Sequence, residues 1–390
     1  MTAVRLFAGG TIVELDGTRS ADLLVVDGRI AAVGDVGQLG SVAERVDVSG
    51  LTIAPGLIDA HAHILGGGGG DGYASRIPEL RLSDLTGNGI TTVVGAPGID
   101  MVSRNLQGLL AKARALRDDG MSAYLYVGGF GRPLASLTGS AWRDAWLLDD
   151  VVGVKLAVGD NRAPSIGARE LVDVARELAW AERARGQALV IHVHLGTDPE
   201  GVALLRDVLG RLPNPNRLVI THCNWIRASL DAVVGLAADG ANVDVSTLMD
   251  PAHGLADSVP PSIAVTDLLG AGVDPARVSM TTDGNGHVPA RTTAGWDPYD
   301  TLMGTLFAQT RAIAVERGLG WPAALRVVTA NPAAALGLAR KGALAAGADA
   351  DFLLLDESGA LVGVYALGQE MARDGRPTVR DRYEVRKDAG

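Results

Sequence analysis

Five of the seven histidines in this chain lie at or near the ends of short apolar runs. Two of them, His61 and His63, are two residues apart in the first such run. Because side chains alternate along a β-strand, these two imidazoles point to the same side and can bind one metal ion. The others are His192, His194 and His222, which lie in two later runs. This pattern predicts a metal site to which several strands contribute ligands.

Two charged residues lie in apolar runs of the same kind. Lys155 is in the middle of Val151–Val158, and Asp283 ends a run that begins at Val278. A lysine in such a strand is costly to bury unless it is paired, so one interpretation is that Lys155 snorkels or forms an ion pair. The other is that its neutral amine reacts with carbon dioxide, giving a carbamate that can bridge two divalent metal ions. Imidazole and carboxylate ligands favour zinc over manganese, iron or nickel.

The elements that carry these residues alternate regularly between about residues 55 and 341. Eight apolar runs are separated by helical patterns, and the runs are Leu57–His63, Ile90–Ala96, Ser122–Val127, Val151–Val158, Ala188–Leu195, Arg217–Cys223, Asn242–Leu248 and Val278–Asp283. Near-continuous apolar strands indicate a parallel sheet buried on both faces, and eight of them predict a (β/α)8 TIM barrel, an α/β fold. The carboxyl ends of the strands would meet at one face, where active sites form. An open doubly wound sheet shares the alternation and stays the alternative.

Short apolar runs separated by turn signals occupy both ends of the chain. Asp16-Gly17 and Asp27-Gly28 mark turns near the amino terminus, and Asp374-Gly375 marks one near the carboxyl terminus. We expect the two ends to pair. They would form one discontinuous β-sandwich domain from residues 1–54 and 342–390, with the barrel of residues 55–341 inserted between them.

The composition restricts the partners of the protein. With 35 Lys and Arg against 45 Asp and Glu, the net charge of −10 argues against nucleic-acid binding, which requires a basic surface. The one cysteine, Cys223, excludes an intramolecular disulfide and fits a reducing cytoplasm. We expect neither a signal peptide nor a membrane-spanning helix, because the apolar runs are too short. The sequence thus predicts a cytoplasmic protein that acts on a small-molecule substrate, without a membrane or nucleic-acid partner.

The segment Pro55–His63, with the sequence PGLIDAHAH, resembles the opening signature of the amidohydrolase superfamily. Within it the chain is most similar to isoaspartyl dipeptidases, and the matching stretches are His63–Gly70, Thr91–Gly95, Leu137–Ser140, Gly153–Lys155, Thr221–His222 and Ser279–Gly286. The resemblance covers nearly the whole chain. It implies a distorted barrel with a binuclear metal centre, a β-sandwich from the two termini, and assembly into a homo-oligomer.

The resemblance also implies a role for each candidate ligand. The set is His61, His63 and Asp283 on the more buried ion, His194 and His222 on the second ion, and Lys155 bridging both as a carbamate. Asp283 would accept a proton from the nucleophilic hydroxide and pass it to the leaving nitrogen. His194 is preferred to His192 because the segment that follows Lys155 aligns without a gap. His192 would then be a packed core residue or a hydrogen-bond partner of a ligand.

Several positions that bind substrate in the similar dipeptidases carry other residues here. Gly70 stands where a glutamate holds the substrate amino group, with Asp71 one position later. Phe130 replaces a tyrosine that polarises the scissile carbonyl, and Ile99 replaces a threonine. His287 replaces a serine after strand eight and is a candidate hydrogen-bond donor to the reacting carbonyl. Metal ions alone could also stabilise the developing oxyanion.

The similarity at the carboxylate-binding arginines is partial. Arg162 matches one of them, whereas Trp225 stands at the other, with Arg227 two residues further on. The glycine run Gly66–Gly70 implies close backbone approach to a substrate, with Gly68 as the contact. The substrate is therefore expected not to be a β-aspartyl dipeptide, unless Asp71, Arg227 and His287 substitute for the missing groups.

We therefore predict a binuclear metal-dependent amidohydrolase that cleaves an amide-type C–N bond of a small substrate by metal-bound hydroxide. The alternatives are a true β-aspartyl dipeptidase, a cyclic amidase of the dihydroorotase or hydantoinase kind, and an N-acyl amino acid deacylase. A mononuclear deaminase is disfavoured because it has no use for a carbamate on Lys155. A non-catalytic scaffold is disfavoured because the ligand set is complete.

Overall fold

The computed structural model describes residues 4–36, 43–288 and 300–384, and the strands in these ranges form three groups along the chain. The first group is β1 (Val4–Ala8), β2 (Thr11–Glu14), β3 (Gly17–Ser20), β4 (Asp22–Val26), β5 (Arg29–Gly34), β6 (Glu44–Asp47) and β7 (Thr52–Pro55). The second is β8 (Leu57–Ala62), β9 (Ile90–Gly95), β10 (Ser122–Gly128), β11 (Val151–Val158), β12 (Val190–Leu195), β13 (Leu218–Thr221), β14 (Asn242–Ser246) and β15 (Val278–Thr281). The third is β16 (Phe352–Leu355), β17 (Leu361–Ala366), β18 (Gln369–Arg373) and β19 (Arg376–Pro377).

Strands β8 to β15 form one parallel sheet in which the spatial order follows the chain order. The sheet curves until its first and last strands meet beyond the end of β15. There the backbone N–H of Asp283 donates to the carbonyl of His61 at 2.9 Å, and that of His63 donates to the carbonyl of Gly284 at 3.0 Å. The predicted TIM barrel is confirmed, and its order excludes an open doubly wound sheet. The irregular seam is also where predicted ligands lie.

Helices cover the outside of the barrel. They are α1 (Leu82–Thr86), α2 (Leu106–Asp118), α3 (Ala141–Leu147), α4 (Ala168–Arg185), α5 (Pro199–Leu209), α6 (Arg227–Ala238), α7 (Pro261–Gly270), α8 (Thr305–Arg311), α9 (Gly320–Arg326) and α10 (Ala330–Ala335). Local signals explain their ends: the Asn105 side chain accepts a hydrogen bond from the backbone of α2, and Gly186 ends α4 in a left-handed conformation. No helix within the described ranges is long and apolar enough to cross a membrane.

The remaining strands form two further sheets, and the larger of them contains strands from both ends of the chain. One has the order β5-β4-β1-β6, and the other has the order β19-β18-β17-β16-β7-β2-β3. Antiparallel pairing of β7 with β16 places Pro55 opposite Phe352. Phe7 contacts the rings of Phe352 and Tyr365 at centroid distances of 4.8 and 5.0 Å, which forms an aromatic core. The predicted pairing of the termini is confirmed, whereas domain boundaries at residues 54 and 342 stay a prediction.

A buried lysine connects the barrel to the terminal strands. Lys341 Nζ lies 2.6 Å from Ser122 Oγ at the start of β10, and 2.5 Å from Asp351 Oδ2 just before β16. It is also 2.9 Å from Asp349 Oδ2. Burial lowers the pKa of Lys341, but the two carboxylates outweigh burial and raise it above its ordinary value. The ammonium group therefore stays charged and joins the two units.

Candidate active site

The predicted ligands come together at the carboxyl ends of the barrel strands, and all of them are buried. The Asp283 carboxylate is central: its Oδ1 lies 3.2 Å from His61 Nε2 and 3.0 Å from His63 Nε2. Its Oδ2 lies 3.9 Å from His222 Nε2. Lys155 Nζ is 2.6 Å from His61 Nε2. Possible ligand atoms of His61, His222 and Asp283 all lie within 4.8 Å of one another, which is compact enough to hold a metal ion.

Two of these residues adopt a backbone conformation that β-strands do not have. His222 has φ = 64° and Asp283 has φ = 50°, and each follows the end of its strand. Left-handed conformations are unfavourable for residues with a Cβ and cluster at functional sites. The sequence predicted both residues as strand ends, whereas the strands end at Thr221 and Thr281. These left-handed residues interrupt the two strands, and the imidazole of His222 lies 3.9 Å from the carboxylate of Asp283 at the mouth of the barrel.

The hydrogen bonds of these groups fit a divalent cation. His63 Nδ1 lies 3.2 Å from the carbonyl oxygen of Ala96, which can only accept, so Nδ1 carries the proton. In the neutral ring the lone pair is then on Nε2, which faces Asp283 Oδ1 at 3.0 Å. Two acceptors that face each other repel, and a cation between them would satisfy both. Asp283 Oδ1 and His222 Nδ1 have no hydrogen-bond partner among the described residues.

The ionisation states of these side chains also fit a metal site. Burial lowers the pKa values of His61 and His222 well below the ordinary value, which keeps them as neutral imidazoles that can bind a metal. Burial also lowers the pKa of Lys155 to about 8, with the Asp283 carboxylate opposing this shift and the Arg162 guanidinium adding to it. A substantial share of Lys155 is therefore neutral at mildly alkaline pH, as carbamate formation requires. For Asp283, burial favours protonation, but the electrostatic effect of the surrounding groups, His222 first and Lys155 among them, outweighs burial and holds its pKa below the ordinary value.

His192 lies behind His61 instead of facing the mouth of the barrel. Its Nε2 is 3.1 Å from His61 Nδ1, and its ring stacks on Tyr126 with centroids 4.8 Å apart. The hydroxyl of Tyr126 donates to the carbonyl of Ala60 at 3.0 Å. The ring of His194, by contrast, contacts that of His222, with their centroids 4.6 Å apart. Of the two roles that the sequence left open for His192, the structure therefore favours the hydrogen-bond partner of a ligand.

Asp160 also lies in the site, although the sequence did not predict it as a site residue. Its Oδ2 lies 2.7 Å from His194 Nε2. Arg162 donates from Nε to Oδ1 at 2.9 Å and from Nη2 to Oδ2 at 2.6 Å. Burial raises the pKa of Asp160, but hydrogen bonds from Arg162 and His194 outweigh burial and lower it below the ordinary value. The carboxylate is thus ionised and accepts hydrogen bonds from the Arg162 guanidinium and the His194 ring at the same time.

A cavity of about 530 Å³ opens above the cluster. It is lined by His63, Gly67, Gly68, Gly70, Asp71, Gly98, Ile99, Phe130, Lys155, Arg162, His194, His222, Trp225, Leu248, Met249, Leu255, Asp283, Gly286 and His287. All the residues predicted to bind substrate are among these except Arg227. The Arg227 guanidinium lies on α6, half exposed, 2.7 Å from Asp267 Oδ2. The sequence missed the apolar lining from Leu248, Met249 and Leu255, because these residues follow β14 in an irregular segment.

The two sides of the cavity differ in chemistry. On one side the guanidinium carbon of Arg162 lies 5.9 Å from the centre of the Phe130 ring and 5.7 Å from that of Trp225. At these distances both aromatic faces attract the cation. On the other side His287 Nε2 lies 3.4 Å from Asp71 Oδ2. The cavity therefore combines an aromatic wall that carries one guanidinium with a polar His–Asp pair.

The glycine run forms a fixed backbone wall on the polar side of the cavity. Gly66 and Gly68 have φ = 86° and 77°, and a Cβ at either position would overlap the carbonyl oxygen of Ile77 or Ser75. The Arg104 guanidinium donates to the carbonyls of Gly67 and Ile77. Glycine is therefore required here for close approach to neighbouring backbone, and the approach of this run to a substrate stays a prediction.

Comparison with known proteins identifies the family. The family model described as "Amidohydrolase family" matches residues 52–378, which is most of the chain. The chain belongs to the amidohydrolase family. It is accordingly a hydrolase of carbon–nitrogen bonds, and members of this family generally use divalent metal ions.

The chain is similar to solved structures and to characterised relatives over different lengths. The β-aspartyl dipeptidase of Fervidobacterium islandicum AW-1, solved in complex with β-Asp-Leu, is 29% identical with a TM-score of 0.86 over 96% of this chain and 98% of that chain. The imidazolonepropionase of Deinococcus deserti is 25% identical over 94% of this chain and 93% of its own. The D-aminoacylase of Alcaligenes xylosoxydans xylosoxydans is 44% identical, but over only 25% of this chain and 19% of its own length. The L-hydantoinase of Arthrobacter aurescens shares the fold, with 19% identity and a TM-score of 0.70 over 97% of this chain and 98% of its own.

Proposed function

We propose that this amidohydrolase is a binuclear enzyme that hydrolyses an amide-type C–N bond of a small substrate. The observation that carries the proposal is the buried cluster around Asp283, in which the unprotonated Nε2 of His63 faces a carboxylate oxygen at 3.0 Å. In the proposed centre His61, His63 and Asp283 would hold the more buried ion. His194 and His222 would hold the second, and Lys155, as a carbamate, would supply a ligand to both.

Two divalent ions, of which zinc is the best match to these ligands, would activate water at neutral pH and polarise the scissile carbonyl. The residues of the chain then position the substrate and move the proton. Asp283 accepts the proton of the attacking water on its carboxylate, because its lowered pKa keeps it ionised before the reaction. It then donates this proton to the leaving nitrogen. His287, whose ring lines the same cavity, is the proposed hydrogen-bond donor to the carbonyl oxygen.

The walls of the cavity favour a substrate with one carboxylate and an apolar or planar portion. Asp160 occupies Nε and Nη2 of Arg162, while Nη1 makes no hydrogen bond among the described residues and is free for a carboxylate. Phe130 and Trp225 flank this guanidinium and can pack against a planar group. We therefore propose a small amide or lactam. Gly68, Ile99 and Asp71 would contact the rest of the substrate.

A true β-aspartyl dipeptidase is the second candidate function, and the similarity to the Fervidobacterium enzyme supports it. For such a substrate, Asp71 would bind the amino group. Against this candidate, Gly70, Ile99 and Phe130 offer no charged or hydroxyl side chain to a dipeptide, and a missing partner for a buried ion costs several kcal/mol. We therefore expect β-Asp-Leu to be a poor substrate.

A substrate screen distinguishes these functions. The zinc-loaded protein is tested with β-aspartyl dipeptides, N-acyl amino acids, and cyclic amides and imides, and its metal content is measured in parallel. About two metal ions per chain with hydrolysis of an N-acyl amino acid or a lactam supports the proposal. A kcat/KM above about 10⁴ M⁻¹ s⁻¹ for β-Asp-Leu, within the range of ordinary enzymes, would instead establish the dipeptidase. A chain that binds no metal would contradict both functions and favour a scaffold.

We also propose that the protein acts in the cytoplasm as a homo-oligomer. The single buried thiol of Cys223 supports a reducing compartment. Light scattering of the purified protein tests the oligomeric state, because a mass near 40.2 kDa would mean a monomer.

A further inference from the structure

One buried carboxylate contacts both a proposed metal ligand and the only arginine that lines the described part of the cavity. Asp160 Oδ2 lies 2.7 Å from His194 Nε2, while Arg162 donates from Nε to Oδ1 at 2.9 Å and from Nη2 to Oδ2 at 2.6 Å. The backbone N–H of Arg162 also donates to Oδ1 at 2.8 Å. The Asp160 side chain is only 3% exposed and that of His194 only 6%, so the contact between these two is shielded from water.

The contact with Asp160 decides which nitrogen His194 can offer to a metal ion. An ionised carboxylate only accepts hydrogen bonds, so His194 Nε2 carries the proton that lies between the two groups. The neutral ring then has its lone pair on Nδ1. Its ring centroid is 4.6 Å from that of His222, the other proposed ligand of the second ion. Asp160 thereby selects the tautomer that binds metal through Nδ1.

The same carboxylate decides which edge of Arg162 faces the substrate. A guanidinium has a side edge, formed by Nε and Nη2, and an end edge, formed by Nη1 and Nη2. Asp160 occupies the side edge, which leaves the end edge for a second carboxylate. The guanidinium carbon also lies over the rings of Phe130 and Trp225, 5.9 and 5.7 Å from their centroids.

Backbone packing holds Asp160 in this position. The loop after β11 is hydrogen-bonded to the segment after β12, with Gly196 N donating to the Val158 carbonyl at 2.9 Å and Asp198 N to the Gly159 carbonyl at 3.0 Å. A Cβ at Gly196 would overlap the Gly159 carbonyl oxygen, so this close approach depends on glycine. The loop that carries Asp160 is therefore fixed against the strand that carries His194.

We propose that Asp160 is a positioning residue that orients His194 for the second metal ion and Arg162 for the substrate carboxylate as one unit. The inference rests on the proposed binuclear function and adds to it. Removing the charge of Asp160 is expected to weaken metal binding and carboxylate recognition together, whereas removing Arg162 is expected to weaken only recognition. A residue that merely stabilised the fold would produce neither pattern.

The test measures Zn²⁺ affinity against a chromophoric chelator, and binding of N-benzoylglycine and its methyl ester to the zinc-loaded protein by calorimetry. Asp160→Asn is expected to weaken one of the two zinc sites about 10–100-fold, as loss of a ligand's hydrogen-bond partner does. It should also weaken N-benzoylglycine at least about tenfold and the ester less than about threefold, since the ester lacks the anion that pairs with Arg162. Arg162→Met should reproduce the second effect and keep both zinc affinities.

Glu182→Gln is the matched control, because Arg217 donates to Glu182 from the same two guanidinium nitrogens, from Nε at 3.1 Å and from Nη2 at 2.7 Å, outside the site. It should change neither zinc nor ligand binding. Asp160→Glu keeps the charge and should retain more zinc affinity than Asp160→Asn, which gives a second readout if the amide variant folds poorly.

Four results would overturn the inference. Zinc affinities of Asp160→Asn within about twofold of wild type would do so while leaving the proposed function intact. Equal losses for N-benzoylglycine and its ester, or no binding of N-benzoylglycine by the wild-type protein, would remove the link to a substrate carboxylate. A wild-type protein that binds no zinc would overturn the proposed function as well.

Discussion

Lys155 is the residue on which the proposed metal centre most depends. It is buried within β11, 2.6 Å from His61 Nε2, and burial lowers its pKa to about 8. As a carbamate it would contribute an oxygen to each ion. We therefore expect Lys155→Ala to lose both metal ions and activity, with partial rescue of both by short carboxylic acids that fill the space. Metal analysis and activity with and without added acetate check this. Undiminished metal content in the variant would contradict the bridging role.

Asp283 combines two roles, and one substitution separates them. Asparagine keeps an oxygen that can bind a metal ion, but an amide does not accept a proton near neutral pH. Asp283→Asn should therefore lower kcat by at least about 10²-fold, the lower range for loss of a general base, and reduce metal content far less. Steady-state kinetics and metal analysis of the same preparation measure both effects. A variant that kept wild-type kcat would contradict the assignment of Asp283 as the base.

Arg162 is expected to recognise the carboxylate of the substrate. Arg162→Met retains most of the apolar contact with Phe130 and Trp225 but removes the charge. KM for a carboxylate-bearing substrate should rise at least about tenfold, and KM for its methyl ester should change much less, because only the anion pairs with the guanidinium. Equal effects on the acid and the ester would mean that Arg162 serves only to neutralise Asp160.

At the level of single residues, the sequence predicted groups whose type and spacing are informative by themselves. His61 and His63 are two residues apart in one apolar run, so they point to the same side. Lys155 is a charged residue in an otherwise apolar strand. Asp160 could not be assigned, because its contact with His194 depends on how two loops pack against each other. Arg227 was included for its closeness to Trp225 in the chain, but a helix begins at Arg227 and directs it toward Asp267.

At the level of elements, the glycine run can be tested with a pair of substitutions. Gly66 has φ = 86° and no room for a Cβ beside the Ile77 carbonyl. Gly66→Ala should therefore destabilise the protein by about 1–3 kcal/mol. At Gly70, whose φ is outside the left-handed region, a Cβ would lie 3.5 Å from Ile99 Cδ1, an ordinary contact. Gly70→Ala should thus change stability by less than about 0.5 kcal/mol. Urea unfolding of both variants measures the difference. Equal stabilities would mean that the loop adapts and is not a fixed wall.

The positions of the strands followed from hydrophobic patterning, whereas the geometry at their ends did not. Strand β11 has the predicted bounds, because a continuous apolar run in a parallel sheet leaves little choice. Strands β13 and β15 are shorter than predicted, since the left-handed conformations of His222 and Asp283 interrupt the regular strand geometry. No glycine marks the left-handed conformation of these two residues, so propensity alone gave no signal for it.

At the level of the whole molecule, Lys341 holds the barrel against the terminal strands. Its ammonium group is buried between Ser122, Asp349 and Asp351, so Lys341→Met would leave Asp351 without its cation and Asp349 with only the more exposed Arg340. Removal of one partner of a buried ion pair typically costs about 3–5 kcal/mol, and we expect the free energy of unfolding to fall by this amount. Lys112→Met is the control, because Lys112 forms a longer ion pair of 3.5 Å with the more exposed Glu79. It should cost less than about 1 kcal/mol.

The pH dependence of this difference follows from the direction of the pKa shift. The pKa of Lys341 is raised in the folded protein, because the attraction of Asp351 and Asp349 exceeds the effect of burial. The ion pairs therefore stabilise the fold fully below the unfolded pKa of about 10.4, and this contribution is lost as the pH rises through the folded value. The stability gap between wild type and Lys341→Met should stay constant from pH 7 to 9 and narrow above pH 10.5. Urea unfolding across this range measures it, and a gap that widened with rising pH would mean that Lys341 is neutral in the folded protein.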